Sequence, residues 1–268
     1  MKPSFAAERR RERRTIVSTN KKFLLKELIK RDFIKKYKRT TFGILWSVLS
    51  PLLLLVTMSF IFRNLFGRTT PHYNIYLFSG LLNYNYFYNA TNGAMTDLYL
   101  NADIYSKVPV PKTYFIFSHS VANLINYGIT LLVFFIFVAA DGISFHWNFL
   151  TLLYPIVCLY FINYGIGMFL STLYIFFSDI KYLYPVICRV VMYGSAIFYD
   201  VYIMSSRVRR ILQCNPIYSC IDYFRQVVIH ATVPDLAHHV ALAVMAALCM
   251  LIGALTYRAM RKKIELAV

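Results

Sequence analysis

Residues 113–140 read TYFIFSHSVANLINYGITLLVFFIFVAA, an uninterrupted run that contains no Lys, Arg, Asp or Glu. A helix needs about 20 apolar residues to cross the hydrocarbon core of a bilayer, because each residue adds about 1.5 Å. In hydrocarbon only a helix satisfies its own backbone polar groups, and a charge at mid-depth is costly. The run therefore predicts a membrane-spanning helix.

The composition of the whole chain agrees with a membrane protein. The 268 residues are 58% hydrophobic and 15% charged, whereas soluble domains carry about 25% charged residues. The net charge of +17 would suit a nucleic-acid partner, but the basic residues follow a membrane pattern, so no such partner is expected. The five cysteines are odd in number and form no CxxC pair, which predicts no disulfide framework and no metal site.

Five other runs have the length of a spanning helix. With residues 113–140, they place the spans at about 43–64, 73–96, 149–177, 182–199 and 236–257. The run at 182–199 is apolar except for Arg189. The sequence thus predicts an all-α membrane protein whose domain of six transmembrane helices covers residues 43–257.

The basic residues predict the orientation of these spans. If the N-terminus is cytoplasmic, the inner segments are residues 1–42, 97–112, 179–181 and 258–268, and they hold 22 Lys and Arg against 6 in the outer segments. Because cytoplasmic loops carry the excess of Lys and Arg, both termini are expected in the cytoplasm. Residues 1–20 are then a basic flexible tail and residues 258–268 a cytoplasmic tail.

An amphipathic helix is predicted within residues 21–42, before the first span. Leu25, Ile29, Phe33 and Tyr37 recur at every fourth position, with Lys or Arg between them. Two roles fit this pattern and can hold together: an electrostatic anchor on anionic lipid, and a working role at a subunit interface.

A short external helix is predicted before the last span. Asn215 followed by Pro216 has the pattern of an N-cap and a first helical residue. Ile217, Ile221 and Phe224 then form an apolar stripe, which fits a helix that rests in the outer membrane interface or dips partly into the bilayer.

The chain lacks the residues of several function classes. A phosphate-loop ATPase needs a glycine followed by lysine, and none of the ten glycines precedes a lysine. The uncharged spans contain no Asp or Glu, which argues against proton coupling. His119, His238 and His239 provide no convergent catalytic set, so no catalytic residue and no metal ligand are predicted.

Two polar features in the spans leave alternatives open. Arg189 cannot lie free in lipid, so it either forms a structural contact or meets an anionic, lipid-linked substrate. The second span is rich in tyrosine and asparagine, including Tyr84, Tyr86 and Tyr88. These side chains suit either a pore for glycan or an interfacial aromatic belt with helix–helix hydrogen bonds.

Four segments of the chain form a recognisable set: YKRTTFGILWSVLSP (37–51), NADIYSKVPVPK (101–112), FFSDI (176–180) and NPIYSCIDYFR (215–225). Together they resemble the permease subunits of polysaccharide-exporting ABC transporters. Ser178, Phe42 and the second valine of KVPVP differ from residues frequent in that family, so the subfamily and the glycan stay open.

This resemblance implies a half-transporter in the inner, or cytoplasmic, membrane. The chain would pair with a second copy of itself and with two copies of an ATP-binding subunit, which would hold ATP and Mg, so this chain would bind no cofactor. Its substrate would be a polyprenyl-diphosphate-linked glycan of the O-antigen, capsule, rhamnan or teichoic acid type. Membrane lipid would be a further partner of the chain.

The resemblance also implies roles for particular residues. A short coupling helix of this chain would dock on the ATPase. It would include Asn101, Asp103, Ile104, Tyr105 and Lys107. The substrate entrance would be lined by Lys35, Lys36, Lys38 and Arg39. The glycan would pass Tyr84, Tyr86, Tyr88 and Arg189.

Two alternatives to glycan export stay open at this point. One is an ABC permease that exports a drug or another small amphiphile. The other is a membrane enzyme acting on polyprenyl-phosphate sugars, which would need catalytic acids that the spans lack.

Overall fold

The structure is a computed structural model that describes residues 21–38, 42–43, 45–66, 72–107, 110–201 and 204–267. Within these ranges the chain folds into helices and contains no β-strand, which confirms the all-α class. The predicted basic tail, residues 1–20, lies outside the described residues.

Ten α-helices follow one another in the described residues, with one short 3-10 helix at Trp147–Leu152 directly before the sixth. The helices are α1 (Lys21–Tyr37), α2 (Leu45–Phe66), α3 (Tyr73–Leu100), α4 (Ala102–Lys107), α5 (Thr113–Ala140), α6 (Leu153–Phe176), α7 (Ile180–Tyr193), α8 (Ser206–Gln213), α9 (Pro216–Val228) and α10 (Leu236–Ala267).

Three of the described segments are long and apolar enough to cross a membrane by themselves. They are Thr113–Ala140, Trp147–Phe176 and Leu236–Ile264, and they agree with the predicted spans 113–140, 149–177 and 236–257. Helix α10 continues without a break to Ala267, so the predicted C-terminal tail is largely helical. The count of six spans stays a prediction, because α2, α3 and α7 are more polar or shorter.

Helix α3 is the central helix of the bundle. Its tyrosine hydroxyls donate hydrogen bonds to carbonyl oxygens of other elements: Tyr73 to Phe198 at 3.1 Å and Tyr84 to Cys188 at 2.9 Å. Its Thr91 hydroxyl accepts a hydrogen bond from the Tyr184 hydroxyl at 2.6 Å. These three polar side chains of α3 are therefore satisfied by α7 and the turn that follows it, as the helix–helix alternative expects.

Helices α6 and α10 cross at a point where their backbones nearly touch. A Cβ added at Gly165 would lie 2.4 Å from the Cys249 carbonyl oxygen, and one at Gly253 would lie 2.1 Å from the Gly165 carbonyl oxygen. Lipid chains are as apolar as leucine, so association of helices in a membrane depends on such close packing. These two glycines allow α10 to pack along α6.

The predicted span 182–199 is only partly helical, which is a correction of its boundary. Helix α7 ends at Tyr193 after 14 residues, or about 21 Å, which is less than the hydrocarbon thickness of about 30 Å. Gly194 follows as the C-cap, and Ala196 adopts a left-handed conformation with a φ of 48°. The chain turns here, and the turn is buried.

Helix α9 begins as the sequence predicts. The side chain of Asn215 accepts a hydrogen bond from the backbone N–H of Ile217 at 2.9 Å, and Pro216 occupies the first helical position. The apolar stripe does not rest in a lipid interface, because Ile217, Ile221 and Phe224 are at most 1% exposed and pack inside the protein. Helix α9 is therefore a buried helix and not a surface helix.

Helix α1 packs along the first turns of α5. Leu28 lies in a cluster with Phe115, the Asp32 carboxylate accepts a hydrogen bond from Ser118 at 2.5 Å, and the Tyr37 hydroxyl donates to Asn126. The helix ends at Tyr37, before the predicted boundary at residue 42. Its amphipathic contact with lipid stays a prediction.

Candidate functional site

A cavity of about 610 Å³ opens between α1, α2, α3 and α5. We call it the amide cavity, because four asparagine side chains contribute to its wall. Its described lining consists of Lys36, Tyr37, Trp46, Ser50, Pro51, Leu54, Leu82, Asn85, Tyr86, Tyr88, Asn89, Asn123, Asn126, Tyr127 and Thr130.

Helical spacing brings the four asparagines together. Asn85 and Asn89 stand four residues apart on α3, and Asn123 and Asn126 stand three apart on α5, so each pair shares one face of its helix. The Nδ2 atoms of Asn123 and Asn126 donate to carbonyl oxygens one turn earlier, of His119 at 3.0 Å and of Ala122 at 3.1 Å. These bonds fix the two amides of α5.

Two stacked tyrosines form the aromatic wall of the amide cavity. The rings of Tyr86 and Tyr127 are 4.4 Å apart at an angle of 20°. The Tyr127 hydroxyl donates to Asn83 Oδ1 at 2.8 Å, which orients its ring. The buried Tyr86 hydroxyl lies next to Asn163 but makes no hydrogen bond of normal geometry.

A second cavity of about 360 Å³ adjoins the first. Both are lined by Lys36, Asn89, Asn123 and Asn126, and we call the second one the acid cavity. Its further described lining is Asp32, Lys35, Asn92, Gly93, Thr96, Asp97, Leu100, His119 and Ala122.

His119 lies beside a carboxylate in the acid cavity. Its Nδ1 is 3.4 Å from Asp97 Oδ2, but neither that oxygen nor the buried His119 Nε2 makes a hydrogen bond within the described residues. A Cβ at Gly93 would lie 2.4 Å from His119 Nε2, so only glycine leaves room for the imidazole ring on α3. His119 is thus a packed residue, and the described residues contain no group of His, Cys, Asp and Glu that could hold a metal ion.

The structure separates the predicted pathway residues. Tyr86 and Tyr88 line the amide cavity. Tyr84 is buried and points to α7, where its hydroxyl bonds to Cys188, although its ring stacks on Tyr88. Arg189 is exposed on α7, away from the amide cavity.

The predicted entrance lysines divide between two surfaces. Lys36 lines the amide cavity, and burial by the surrounding protein lowers the pKa of its ammonium group. Lys38 lines a separate outward groove, and Lys35 contributes both to that groove and to the acid cavity. Arg39 lies outside the described residues.

The predicted coupling residues form a short helix with one anchored side chain. Asp103, Ile104 and Lys107 are exposed on α4. Tyr105 is half-buried: its hydroxyl donates to the Leu98 carbonyl oxygen at 2.9 Å, and burial raises the pKa of that hydroxyl.

Asn101 fixes the join between α3 and α4. Its side chain is buried, and its Nδ2 donates to the Asp97 carbonyl oxygen at 2.8 Å. Asn101 therefore stabilises the position of α4 from inside the protein.

Sequence reasoning missed the residues that α5 contributes to the amide cavity, among them Asn123, Asn126 and Tyr127. Two asparagines three residues apart in an otherwise apolar run were the available signal. Their connection to Tyr37 and Lys36 could not be read from the sequence, because it depends on how α1 packs on α5. His238 and His239 contact neighbouring side chains and backbone: His239 Nε2 lies 2.9 Å from the Tyr223 hydroxyl, and His238 Nε2 lies 3.1 Å from the Ser219 carbonyl oxygen.

Comparison with known proteins gives a consistent set of similarities. The family model for the ABC-2 type transporter matches residues 24–229. An O-antigen export system permease protein RfbA of Klebsiella pneumoniae is 26% identical over 211 residues, which cover 78% of this chain and 81% of that protein. A protein of the same name from Myxococcus xanthus is 22% identical, with 83% and 86% covered. The polysialic acid transport protein KpsM of Escherichia coli is 21% identical, with 88% and 93% covered.

Proposed function

The chain belongs to the ABC-2 type transporter family, and from this premise we propose that it is the membrane permease of an ABC transporter that exports polysaccharide. The observation that carries the proposal is the similarity to permeases named for O-antigen export and polysialic acid transport, which extends over at least three quarters of each chain. The permease itself is non-catalytic. The protein lies in the cytoplasmic membrane, with both termini in the cytoplasm.

The energy for export comes from a separate ATP-binding subunit. The sequence has no glycine followed by lysine and so no phosphate loop of its own. ATP and Mg are bound by the partner, and its closure is passed to the permease. A transport cycle of this kind needs a docking element on the cytoplasmic side.

Helix α4 is that docking element. It exposes Ile104, 40% accessible, between the charged side chains of Asp103 and Lys107. Behind it, Tyr105 packs into a cluster with Leu28 of α1. A push on α4 is therefore passed directly to α1, because packed side chains do not deform continuously.

A second copy of the chain completes the pathway. Helix α7 exposes apolar side chains, including Leu183, Val186 and Val190, and on the same helix it exposes Arg189. A guanidinium facing lipid is costly, whereas a hydrated path between two copies accommodates it. The glycan passes along this path, with the lysines of α1 near its entrance and its lipid anchor at the membrane.

The experiment that tests the function is reconstitution. The chain and its ATPase partner are placed in proteoliposomes with a polyprenyl-diphosphate-linked glycan. We expect glycan to become accessible to an added glycosidase on the opposite side only when ATP and Mg are supplied. ATP-dependent movement of a small drug but not of glycan would reject polysaccharide export, and active movement without the ATPase would reject the permease role.

A change at Ile104 tests the docking helix. Ile104→Asp is expected to weaken ATPase binding about tenfold, because it places a carboxylate at the centre of the docking surface. The measurement is ATPase co-purification together with ATP hydrolysis by the complex. Ile211→Asp is the matched control, since Ile211 is 71% exposed on α8. Equal ATPase binding by both variants would exclude α4 as the docking element.

A further inference from the structure

Helices α3 and α5 meet at a histidine–aspartate pair near each of their ends. Where α3 begins and α5 ends, His72 Nδ1 lies 2.5 Å from Asp141 Oδ2, which is a closed hydrogen bond. At the opposite end, in the acid cavity, His119 Nδ1 of α5 lies 3.4 Å from Asp97 Oδ2 of α3, which is too long for a hydrogen bond to a carboxylate. One antiparallel helix pair thus carries the same two kinds of side chain in a closed and in an open contact.

The open contact leaves buried polar atoms without a partner. Within the described residues, the buried atoms Asp97 Oδ2 and His119 Nε2 make no hydrogen bond. The nearby Asp32 carboxylate of α1, by contrast, accepts hydrogen bonds from Arg31 at 2.7 Å and from Ser118 at 2.5 Å. An unpaired buried polar group is costly, so an arrangement in which Asp97 and His119 meet would recover free energy that the open contact forgoes.

The acid cavity gives this contact room to change. The cavity of about 360 Å³ lies between α1, α3 and α5. The imidazole ring of His119 rests against Gly93, which stands one turn before Asp97 on the same face of α3. Because Gly93 has no side chain, it leaves a strip of α3 along which the ring can approach Asp97.

Helix α1 supplies the charged groups that face the pair. Lys35 and Lys36 line the acid cavity together with Asp32, and its described lining contains no charged residue of α6 or α10. A single proton is enough to close the contact. A neutral imidazole with its proton on Nδ1 can donate to the carboxylate, and a protonated carboxyl can donate to Nδ1.

The open contact lies one turn from the docking helix α4. The Asp97 carbonyl oxygen accepts a hydrogen bond from Asn101 Nδ2 at 2.8 Å, and the Leu98 carbonyl oxygen accepts one from the Tyr105 hydroxyl at 2.9 Å. These bonds hold α4 to the last turn of α3. His119 of α5 directly follows the serine that is bonded to α1. A movement of α4 is therefore expected to change the distance between Asp97 and His119.

We infer that Asp97 and His119 form a latch between α3 and α5 that closes and opens in each transport cycle, while the His72–Asp141 pair holds the other end as a pivot. The inference rests on the proposed function, because the ATP-binding partner supplies the movement of α4. Closure replaces the open contact by a hydrogen bond of about 2.8 Å and passes the movement of α4 to α5 as well as to α1. Asp97 and His119 are positioning residues, since they act only through the helices that carry them.

An engineered zinc bridge tests whether the contact changes. Two histidine nitrogens on one tetrahedral Zn²⁺ lie about 3.3 Å apart, close to the present separation of the latch atoms. Asp97→His therefore provides a zinc site with His119 at the latch. Asp141→His provides the matched site with His72 at the pivot. Both variants are studied as the full complex with the ATPase partner, and zinc binding is measured as a rise in the unfolding temperature.

Zinc is expected to lower glycan export about tenfold in the Asp97→His complex, because a bridged latch cannot open. It should bind to the Asp141→His complex without changing export, and EDTA should reverse the inhibition at the latch. A second readout needs no turnover. The zinc affinity of the Asp97→His complex should differ about tenfold between the nucleotide-free form and the form trapped with ADP and vanadate.

Removal of the pair gives an independent measurement. Asp97→Leu and His119→Leu are each expected to lower export about tenfold, and the double variant should be no worse than either, because both remove the same contact. The KM for ATP should stay unchanged, since the partner binds the nucleotide. His119→Asn should recover most of the export, because its amide nitrogen can donate from the place of Nδ1.

Three results would overturn the inference. Zinc that binds to Asp97→His without inhibition and with equal affinity in both nucleotide forms would show a static contact. Absence of zinc binding by this variant would show that the two side chains do not face each other, and inhibition at both ends would remove the pivot. Wild-type export without zinc separates these outcomes from failure of the proposed function: export with a static contact overturns the latch alone, whereas absence of export overturns the function.

Discussion

Replacing Arg225 by leucine is expected to destabilise the protein by about 3 kcal/mol, more than most single substitutions. Arg225 is only 4% exposed. Its guanidinium donates to the carbonyl oxygens of Ala196 at 2.9 Å and Ile197 at 3.2 Å, and it lies 3.4 Å from the centre of the Tyr76 ring. Leucine would leave the Ile197 oxygen without this donor and the Ala196 oxygen with only the 3.4 Å hydrogen bond from the Tyr76 hydroxyl, and it would remove the cation–π contact.

The measurement is thermal unfolding in detergent with a thiol-reactive dye. Cys158, Cys188 and Cys220 are buried and become reactive on unfolding, whereas the exposed Cys214 is first replaced by serine. Arg225→Lys should fall between the wild type and Arg225→Leu, because lysine keeps the charge but not the planar fork. Arg207→Leu, at an exposed arginine of α8, is the control and should leave the unfolding temperature unchanged. An Arg225→Leu protein as stable as this control would show that the buried guanidinium does not hold the turn after α7.

A methyl group at the crossing of α6 and α10 is expected to be the second most damaging change. Gly165→Ala and Gly253→Ala should each destabilise the protein by about 1–3 kcal/mol, because the added Cβ meets backbone atoms that cannot move aside. At Gly165 the nearest of these atoms are the carbonyl oxygen of Cys249, at 2.4 Å, and the backbone nitrogen of Met250, at 2.6 Å. The helices must separate, and the packing along their length is lost with them.

Gly128→Ala is the matched control for this prediction. Gly128 also lies in a long helix, α5, but a Cβ there would meet nothing within 4 Å, so alanine should be neutral or stabilising. The double variant Gly165→Ala/Gly253→Ala should cost less than the sum of the single changes, because the first substitution already separates the helices. Additive losses, or an equal loss at Gly128, would mean that ordinary helix propensity and not the close crossing governs these positions.

The two predictions concern the burial of Arg225 and the close crossing of α6 and α10, and the sequence predicted neither of them. Arg225 stands in a segment predicted to lie outside the membrane and counts there as one more basic residue, so nothing in its neighbourhood marks it as buried. Its role comes from Ala196 and Tyr76, which are 29 and 149 positions away in the chain. Gly165 and Gly253 are likewise unremarkable apolar-helix residues until α6 and α10 are placed side by side.

Local signals predicted the helices well where a charge or a cap sets the boundary. The uncharged run 113–140 coincides with α5, and Asn215 with Pro216 starts α9. The prediction was wrong at residues 194–199, because an apolar turn with Gly194 and Ala196 has the same hydropathy as a helix. The helix before it also contains Pro185, which did not end it.

The candidate site was predictable only in part. Tyr86 and Tyr88 were singled out by residue type and Lys36 through the family resemblance, and the structure places all three in one cavity. Tyr84 is a tyrosine of the same helix, but its hydroxyl donates to the Cys188 carbonyl oxygen of α7, and residue type alone could not predict that contact.

By itself, the sequence determined that this protein lies in a lipid membrane and that its segments there are helices. Long uncharged runs require a helix in lipid, whatever the neighbours are, because the backbone must satisfy its own hydrogen bonds there. The tertiary structure alone decided which polar side chains form hydrogen bonds within the protein and which line an open cavity. Asn83 is satisfied by Tyr127, whereas the Asn85 side chain, two residues on, lines an open cavity, and that difference depends on helices brought together across the bundle.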